Sequence, residues 1–171
     1  MRFRHLVRGG AYVRVIDPDW IRPLEGRHAA RHGGRWNPAD SFPVVYLCHD
    51  PAVARANVLR RFEGFPYSPL DLRPDRRPAL VETEVDEDRF VDVVTDAGCR
   101  AAALPTTYPQ EDGGEVGWGR CQPVGLAAWE QDEPGIACRS AAGPGEELAW
   151  FQRGRRRLRV RRRRPFDQWF G

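Results

Sequence analysis

The sequence predicts an α+β domain, built on a mixed or antiparallel sheet with flanking short helices. Three observations point there. Val44–Cys48 is an apolar run of strand length, and Leu80–Val85 alternates, with Val81, Thr83 and Val85 on one face and Glu82 and Glu84 on the other. Between these runs, Asp50-Pro51 marks a helix start, with an acid at the N-cap and proline at the first helical position. Strands and helices then mix without the regular alternation of a parallel βαβ fold.

Taken in order, Ala11–Ile16 reads as a short strand, and residues 17–40, rich in Pro, Gly, Asp and Arg, read as loop. The helix that opens at Asp50 should run to about Phe62, because Ala54, Val58 and Phe62 recur every four residues and form one apolar stripe. Gly64–Pro78 carries four prolines and reads as loop. Phe90–Val94 is a further strand, Ala97–Leu104 a short helix, Glu111–Gly119 a glycine-rich loop and Val124–Glu130 another short helix. Ile136–Ser140 and Glu147–Phe151 read as late strands.

A length of 171 residues suits one domain, and a hydrophobic fraction of 41% is enough to build a core. Charge divides the chain into a body, residues 1–152, and an arginine-rich tail, residues 153–171. The tail holds 9 arginines against Asp167, a net +8, whereas 18 arginines against 23 acids leave the body at −5. The overall pI near 8.9 is therefore no sign that the body binds nucleic acid. Within the tail, clustered arginine suits nucleic-acid contact, docking to an acidic partner, or a solvated edge strand, and Phe166, Trp169 and Phe170 suggest that the end folds back on apolar surface.

Cys48, Cys99, Cys121 and Cys138 are scattered without a CxxC pair, and His5, His28, His32 and His49 share no spacing that makes a metal site. Buried free thiols in a reducing compartment are expected, and no metal. No run of about 18 apolar residues predicts a membrane span, and the basic start is not followed by the apolar region of a secretory signal. The expected location is the cytoplasm.

The segment that stands apart is Arg31-His-Gly-Gly-Arg-Trp-Asn-Pro38. Gly33 and Gly34 permit a tight turn and close approach of a ligand. Arg35 offers a planar fork for a phosphate or pyrophosphate, Trp36 a face for a heteroaromatic ring, and Asn37 both a donor and an acceptor. Together they read either as a nucleotide cradle or as a surface turn anchored by a buried Trp36.

This block, Gly33-Gly-Arg-Trp-Asn-Pro38, followed by Val44-Val-Tyr-Leu47 and by Asp50-Pro-Ala-Val-Ala54 opening a helix, resembles the RES family, named for an Arg, a Glu and a Ser. Tyr12-Val-Arg-Val-Ile-Asp-Pro18 is similar to the family's first strand, and Gln122-Pro-Val-Gly125, Trp129 and Gly135-Ile-Ala-Cys-Arg-Ser140 to its later signature. The likeness covers roughly residues 11–151. It implies a fold similar to ADP-ribosyltransferases and cleavage of NAD+, as substrate rather than cofactor, at the nicotinamide–ribose bond. The acceptor would be phosphate or water, with inorganic phosphate as co-substrate in the first case. It also implies a bacterial toxin paired with a helix-turn-helix antitoxin. A branch of the family is reported to transfer ADP-ribose to a protein.

Carried over by position, the family Arg falls on Arg35, the Ser on Ser140, a Tyr on Tyr46 and an earlier Arg on Arg14. The family Glu falls on Asn57, which keeps hydrogen bonding and loses charge. A departing nicotinamide leaves positive charge on the ribose carbon, and losing one stabilising group in such a site commonly costs about 2.7–4 kcal/mol. Glu63, Glu130, Glu146 and Glu147 are the candidate replacements. Glu147, at the start of a late strand, ranks first. Arg35 with Arg14 is expected on the pyrophosphate, Gly34, Trp36 and Asn37 around the nucleotide, Tyr46 or Trp36 on a ring, and Ser140 on ribose or incoming phosphate. Each has a plain structural alternative: an ion pair for Arg14, core packing for Tyr46, an ordinary strand position for Ser140, a solvated charge pair for Glu146-Glu147. Protein ADP-ribosylation, and an NAD+-binding module weakened by Asn57, are the rival functions.

Overall fold

A computed structural model describes residues 1–171. The strands are β1 (His5–Ile16), β2 (Val44–Cys48), β3 (Ala79–Val93), β4 (Gln110–Glu111), β5 (Gly114–Glu115), β6 (Gly135–Arg139), β7 (Glu146–Phe151) and β8 (Arg162–Arg164); the helices are α1 (Arg27–His32), α2 (Pro51–Arg61), α3 (Asp96–Ala101) and α4 (Trp118–Glu130). No helix is long and apolar enough to cross a membrane.

The main sheet is mixed. β1 pairs along β3 from His5↔Val91 to Ile16↔Ala79, with an irregularity between Arg8 and Gly10. β7 lies between β2 and β6, antiparallel to both. β6 joins the far end of β3 in parallel, and the single pair Val13↔Cys48 links β1 to β2. Followed round, these pairings form a ring of five strands. β8 adds to β3 opposite Leu80–Glu82.

Strand alternation then sorts the side chains. Tyr12, Val45, Leu47, Val81, Val85, Ala137, Leu148 and Trp150 gather on one face of these strands. Val44, Val93, Ile136, Cys138, Ala149 and Phe151 gather on the other, packed with Cys99 and Ala102 beside α3 and with Cys121, Val124 and Ala128 of α4. A third cluster sets Val53, Ala54 and Val58 of α2 against Phe166, Trp169 and Phe170.

Several elements differ from the sequence reading. Residues 17–40 contain α1, a helix of 6 residues with only Ala29 buried, too short to show a period. His28 and His32 sit one turn apart on it, with ring centroids 4.5 Å apart. β1 begins at His5 rather than Ala11, because pairing with β3 orders a half-exposed start that lacks alternation. Leu80–Val85 and Phe90–Val94 belong to one 15-residue strand, carried through an exposed acidic stretch by the same ladder. α4 starts at Trp118 rather than Val124, with Pro123 inside it. The loop read over Glu111–Gly119 holds the small β4–β5 hairpin.

The arginine-rich stretch lies across the body. Arg153 covers the Trp129 ring at 3.6 Å and Arg156 the Trp150 ring at 4.7 Å. Arg164 pairs with Glu82, Trp169 Nε1 donates to the Pro78 carbonyl at 3.1 Å, and Arg55 Nε donates to the Phe170 carbonyl at 2.9 Å. Phe166 stacks on Phe170 at 4.4 Å.

The segment after α1 is knotted in place. Asn37, 0% exposed, donates from Nδ2 to the Ala29 carbonyl at 2.7 Å and accepts from the Tyr46 hydroxyl at 2.7 Å. The same hydroxyl accepts from the Trp36 N–H at 2.9 Å. Gln122 of α4 donates to the Gly34 carbonyl at 2.9 Å. Two glycines make this fit possible: a Cβ on Gly34 would lie 2.5 Å from the Tyr46 hydroxyl, and one on Gly125 would lie 1.6 Å from the Trp36 carbonyl oxygen.

Two stability measurements check this account. Phe166→Ala should lower the denaturant-unfolding free energy by about 3–5 kcal/mol, because it opens the cluster behind α2. Gly125→Ala should cost roughly 1–3 kcal/mol or more, since the helix must move off the Trp36 backbone; an unchanged unfolding midpoint would show that α4 is not locked there.

Candidate active site

A cavity of about 680 Å³ opens beside the knotted segment. Its wall takes Gly34 and Arg35 from that segment, Arg14 from β1, Tyr46 and Cys48 from β2, Asn57, Arg60 and Arg61 from α2, and Glu147 from β7. β2 and β7 are neighbours with Cys48 opposite Glu147. α2 follows β2 after a two-residue link, because Asp50 caps it by accepting from the Val53 N–H at 3.0 Å. That short link brings Asn57 beside Glu147.

Glu147 is the acid of the four candidates that lines the cavity. Glu63 and Glu130 are exposed, and Glu146 is held by Arg8 at 2.8 Å. The Glu147 carboxylate accepts a hydrogen bond from Asn57 Nδ2. Burial pushes its pKa above the ordinary 4.5, partly offset by Asn57, Arg35, the Ala141 backbone and Arg60.

Arg14 is 8% exposed. It makes no ion pair: Nη1 donates to the carbonyls of Pro23 at 2.8 Å and Glu25 at 3.3 Å, and its guanidinium lies 5.4 Å from the centre of the Trp20 ring. Burial, then the nearby Arg61, pulls its pKa down to about 10, so it stays cationic at neutral pH. Arg35 donates from Nη1 to the Val116 carbonyl at 3.0 Å and pairs through Nη2 with Glu115. Arg60 donates to the Ala141 carbonyl at 2.7 Å and pairs with the other oxygen of Glu115. Four arginines face two wall acids, Asp17 and Glu147, and Glu115 pairs with two of the four, which leaves a positive balance that suits an anionic ligand.

The structure thus brings Arg14, Gly34, Arg35, Tyr46, Asn57 and Glu147 together. It gives the others supporting places. Trp36 also borders the cavity but is 1% exposed, with its ring 5.8 Å from that of Tyr108, so it anchors the wall more than it presents a face. Asn37 lies behind the wall as the knot just described. Ser140 is buried, and its hydroxyl accepts from the Ala142 N–H at 3.2 Å, shaping the turn that puts Ala141 on the wall. Tyr46 shows its ring to the cavity while its hydroxyl is spent on the knot; burial raises its pKa, so it remains a phenol. The thiols of Cys48 and Cys138, also on the wall, are pushed up by burial and are poor nucleophiles.

Sequence reasoning missed Trp20, Arg60 and Trp118. Arg60 carried a signal, three residues after Asn57 on the same helix face. Trp20 and Trp118, which also line the cavity, sit in irregular or helix-start positions where no pattern marks an aromatic as accessible. No group of three or more His, Cys, Asp or Glu is placed to hold a metal ion.

Comparison with known proteins places this arrangement. The chain is 26% identical over 144 residues to the NAD(+) phosphorylase MbcT of Mycobacterium tuberculosis and of Mycobacterium bovis, an alignment covering 84% of this chain and 75% of each relative. Its fold is similar to that in the crystal structure of the M. tuberculosis MbcT–MbcA toxin–antitoxin complex, with a TM-score of 0.77 and 22% identity, covering 97% of this chain and 91% of the other. The RES domain matches residues 11–169, and the chain belongs to the RES domain family.

Proposed function

We propose that this protein cleaves NAD+ at the nicotinamide–ribose bond and passes the ADP-ribosyl group to inorganic phosphate, as the toxin of a toxin–antitoxin pair. The observation that carries the reading is the half-buried Glu147 carboxylate, held by Asn57, in one cavity with Arg14 and Arg35. The relative named NAD(+) phosphorylase supports phosphate as acceptor, and the neighbouring toxin–antitoxin complex supports an antitoxin partner, here taken to be of helix-turn-helix type. Four unpaired, buried cysteines suit a cytoplasmic setting.

In this mechanism Arg14 and Arg35 neutralise the pyrophosphate. Trp20 and Trp118, rather than Trp36, give ring faces to the bases, while Tyr46 packs beside them, admitted against the backbone by Gly34. The C–N bond to nicotinamide breaks with its electron pair leaving on the ring nitrogen, which makes the ring neutral. Positive charge grows on the ribose carbon until a phosphate oxygen bonds there. Glu147 sets a carboxylate against that charge in a site where solvent screening is weak. Asn57 positions it, and Ser140 holds the turn that carries Ala141. The acid that the family places on the helix is supplied from the facing strand instead.

The test is a time course of NAD+ with purified protein, with and without phosphate, products identified by mass. Phosphate-dependent release of nicotinamide together with phosphorylated ADP-ribose is expected; intact NAD+ refutes the reading.

Two further outcomes follow from Glu147. Glu147→Gln should reduce turnover by roughly 100- to 1,000-fold. It should leave thermal stability equal or higher, because at pH 7 the raised pKa means that the folded state disfavours the charged form, and Gln removes that cost. The rate should also fall on acidification, as the carboxylate is protonated at a pH above the ordinary 4.5, and this limb of the kcat/KM profile should be absent from the residual activity of the variant.

A further inference from the structure

We infer that Arg35 and Arg60 form an oxyanion subsite for a phosphoryl group, and that Glu115 is an internal stand-in that occupies it until the ligand arrives. The inference rests on the proposed cleavage of NAD+ and names where one of its phosphoryl groups binds.

The geometry is that of two forks meeting at one point. Arg35 comes from the segment after α1 and Arg60 from α2, and both line the cavity. Each guanidinium is steadied by a backbone carbonyl, Val116 for Arg35 at 3.0 Å and Ala141 for Arg60 at 2.7 Å. Each then has an Nη2 group directed at the same carboxylate, Arg35 at Oε1 and Arg60 at Oε2 of Glu115. Two fixed cationic forks sharing one pair of oxygens are the donor set that binds phosphate.

The tenant is lightly held on its own side. Glu115 ends β5, one arm of a hairpin only two residues long on each side, and Asp112, Gly113 and Gly114 are exposed. The next residue, Val116, is fully buried, and its N–H donates to the Pro109 carbonyl at 2.9 Å. Val116 is therefore fixed while the neighbouring Glu115 side chain is 27% exposed, so that side chain can swing to solvent without disturbing the core. None of the three groups is sealed from water: the side chains of Arg35, Arg60 and Glu115 are 15%, 35% and 27% exposed. A phosphoryl group brings more oxygens and at least as much charge to the same two forks, and can take the place of a single carboxylate.

The shared chemistry has two sources, inorganic phosphate and the pyrophosphate of the dinucleotide, and binding measurements separate them. Phosphate and ADP-ribose, neither of which requires turnover, are titrated by calorimetry into wild type, Glu115→Gln, and Glu115→Gln combined with Arg60→Gln. Removing the competing charge should tighten binding of at least one anion by roughly tenfold, and removing Arg60 should abolish that gain. A gain for phosphate alone assigns the subsite to the acceptor; a gain for ADP-ribose, with phosphate competing, assigns it to the pyrophosphate. In thermal melts without anion, Glu115→Gln should fall below wild type, since two cations lose their partner, and should recover on adding that anion.

The inference is overturned if neither anion gains, if the gain survives loss of Arg60, or if the melt stays low with anion present. If Glu115→Gln does not fold, Glu115→Asp, too short to reach both forks, carries the same expectation. Tight anion binding with NAD+ left intact would instead overturn the proposed reaction and keep the subsite.

Discussion

The cavity depends on one buried hydroxyl. The oxygen of Tyr46 accepts from the Trp36 backbone and donates to the Asn37 side chain, and Asn37 in turn holds the Ala29 carbonyl of α1. Three pieces of chain, α1, the segment after it and β2, are thereby fixed relative to one another by groups largely shielded from solvent. Arg35 sits between the two glycines and the buried Trp36, so its backbone is placed by that knot, and its guanidinium is then steadied by the Val116 carbonyl and Glu115. This explains why Trp36 and Asn37, which look like ligand contacts in the sequence, serve as anchors. A flexible cradle could not aim a guanidinium, and the residues that make it rigid are spent in doing so.

The fold was legible where periodicity is local. β2 and α2 followed from an apolar run, an N-cap acid and a proline, and the structure confirms the Asp50 cap at 3.0 Å. What escaped was set by partners distant in the chain. The first half of β1 and the acidic middle of β3 have no alternation, and each is a strand because the other is there. α1 is too short to show a period. In the site, Arg14, Arg35, Tyr46 and Glu147 could be singled out as residues, while the neighbours that decide their state could not. That Glu147 touches Asn57 requires β7 to lie beside β2, a pairing between residues roughly 100 positions apart.

The site also holds a conflict between stability and chemistry. A half-buried carboxylate on the cavity wall is costly, and Asn57, Arg35 and Arg60 only partly offset its desolvation. A core chosen for stability alone would not place an acid there. The arginines show the same tension, with Arg14 buried on backbone carbonyls instead of a counter-ion. Their surplus charge is tolerated beside a cavity that can receive an anion, and Glu115 neutralises part of it in the free protein.

The ring of strands has a consequence for how the protein behaves among copies of itself. The ring is joined at β1 and β2 by a single residue pair, and β8 lies at an end of the sheet order, with β3 as its one strand neighbour. An open ladder is a template on which another chain can extend a sheet, the first step of aggregation. Here that margin is made of arginine: Arg162 and Arg163 are exposed, and Arg164 is tied down by Glu82. Two such margins repel each other, so the arginine-rich stretch guards the sheet against self-association while its aromatic end closes the core behind α2.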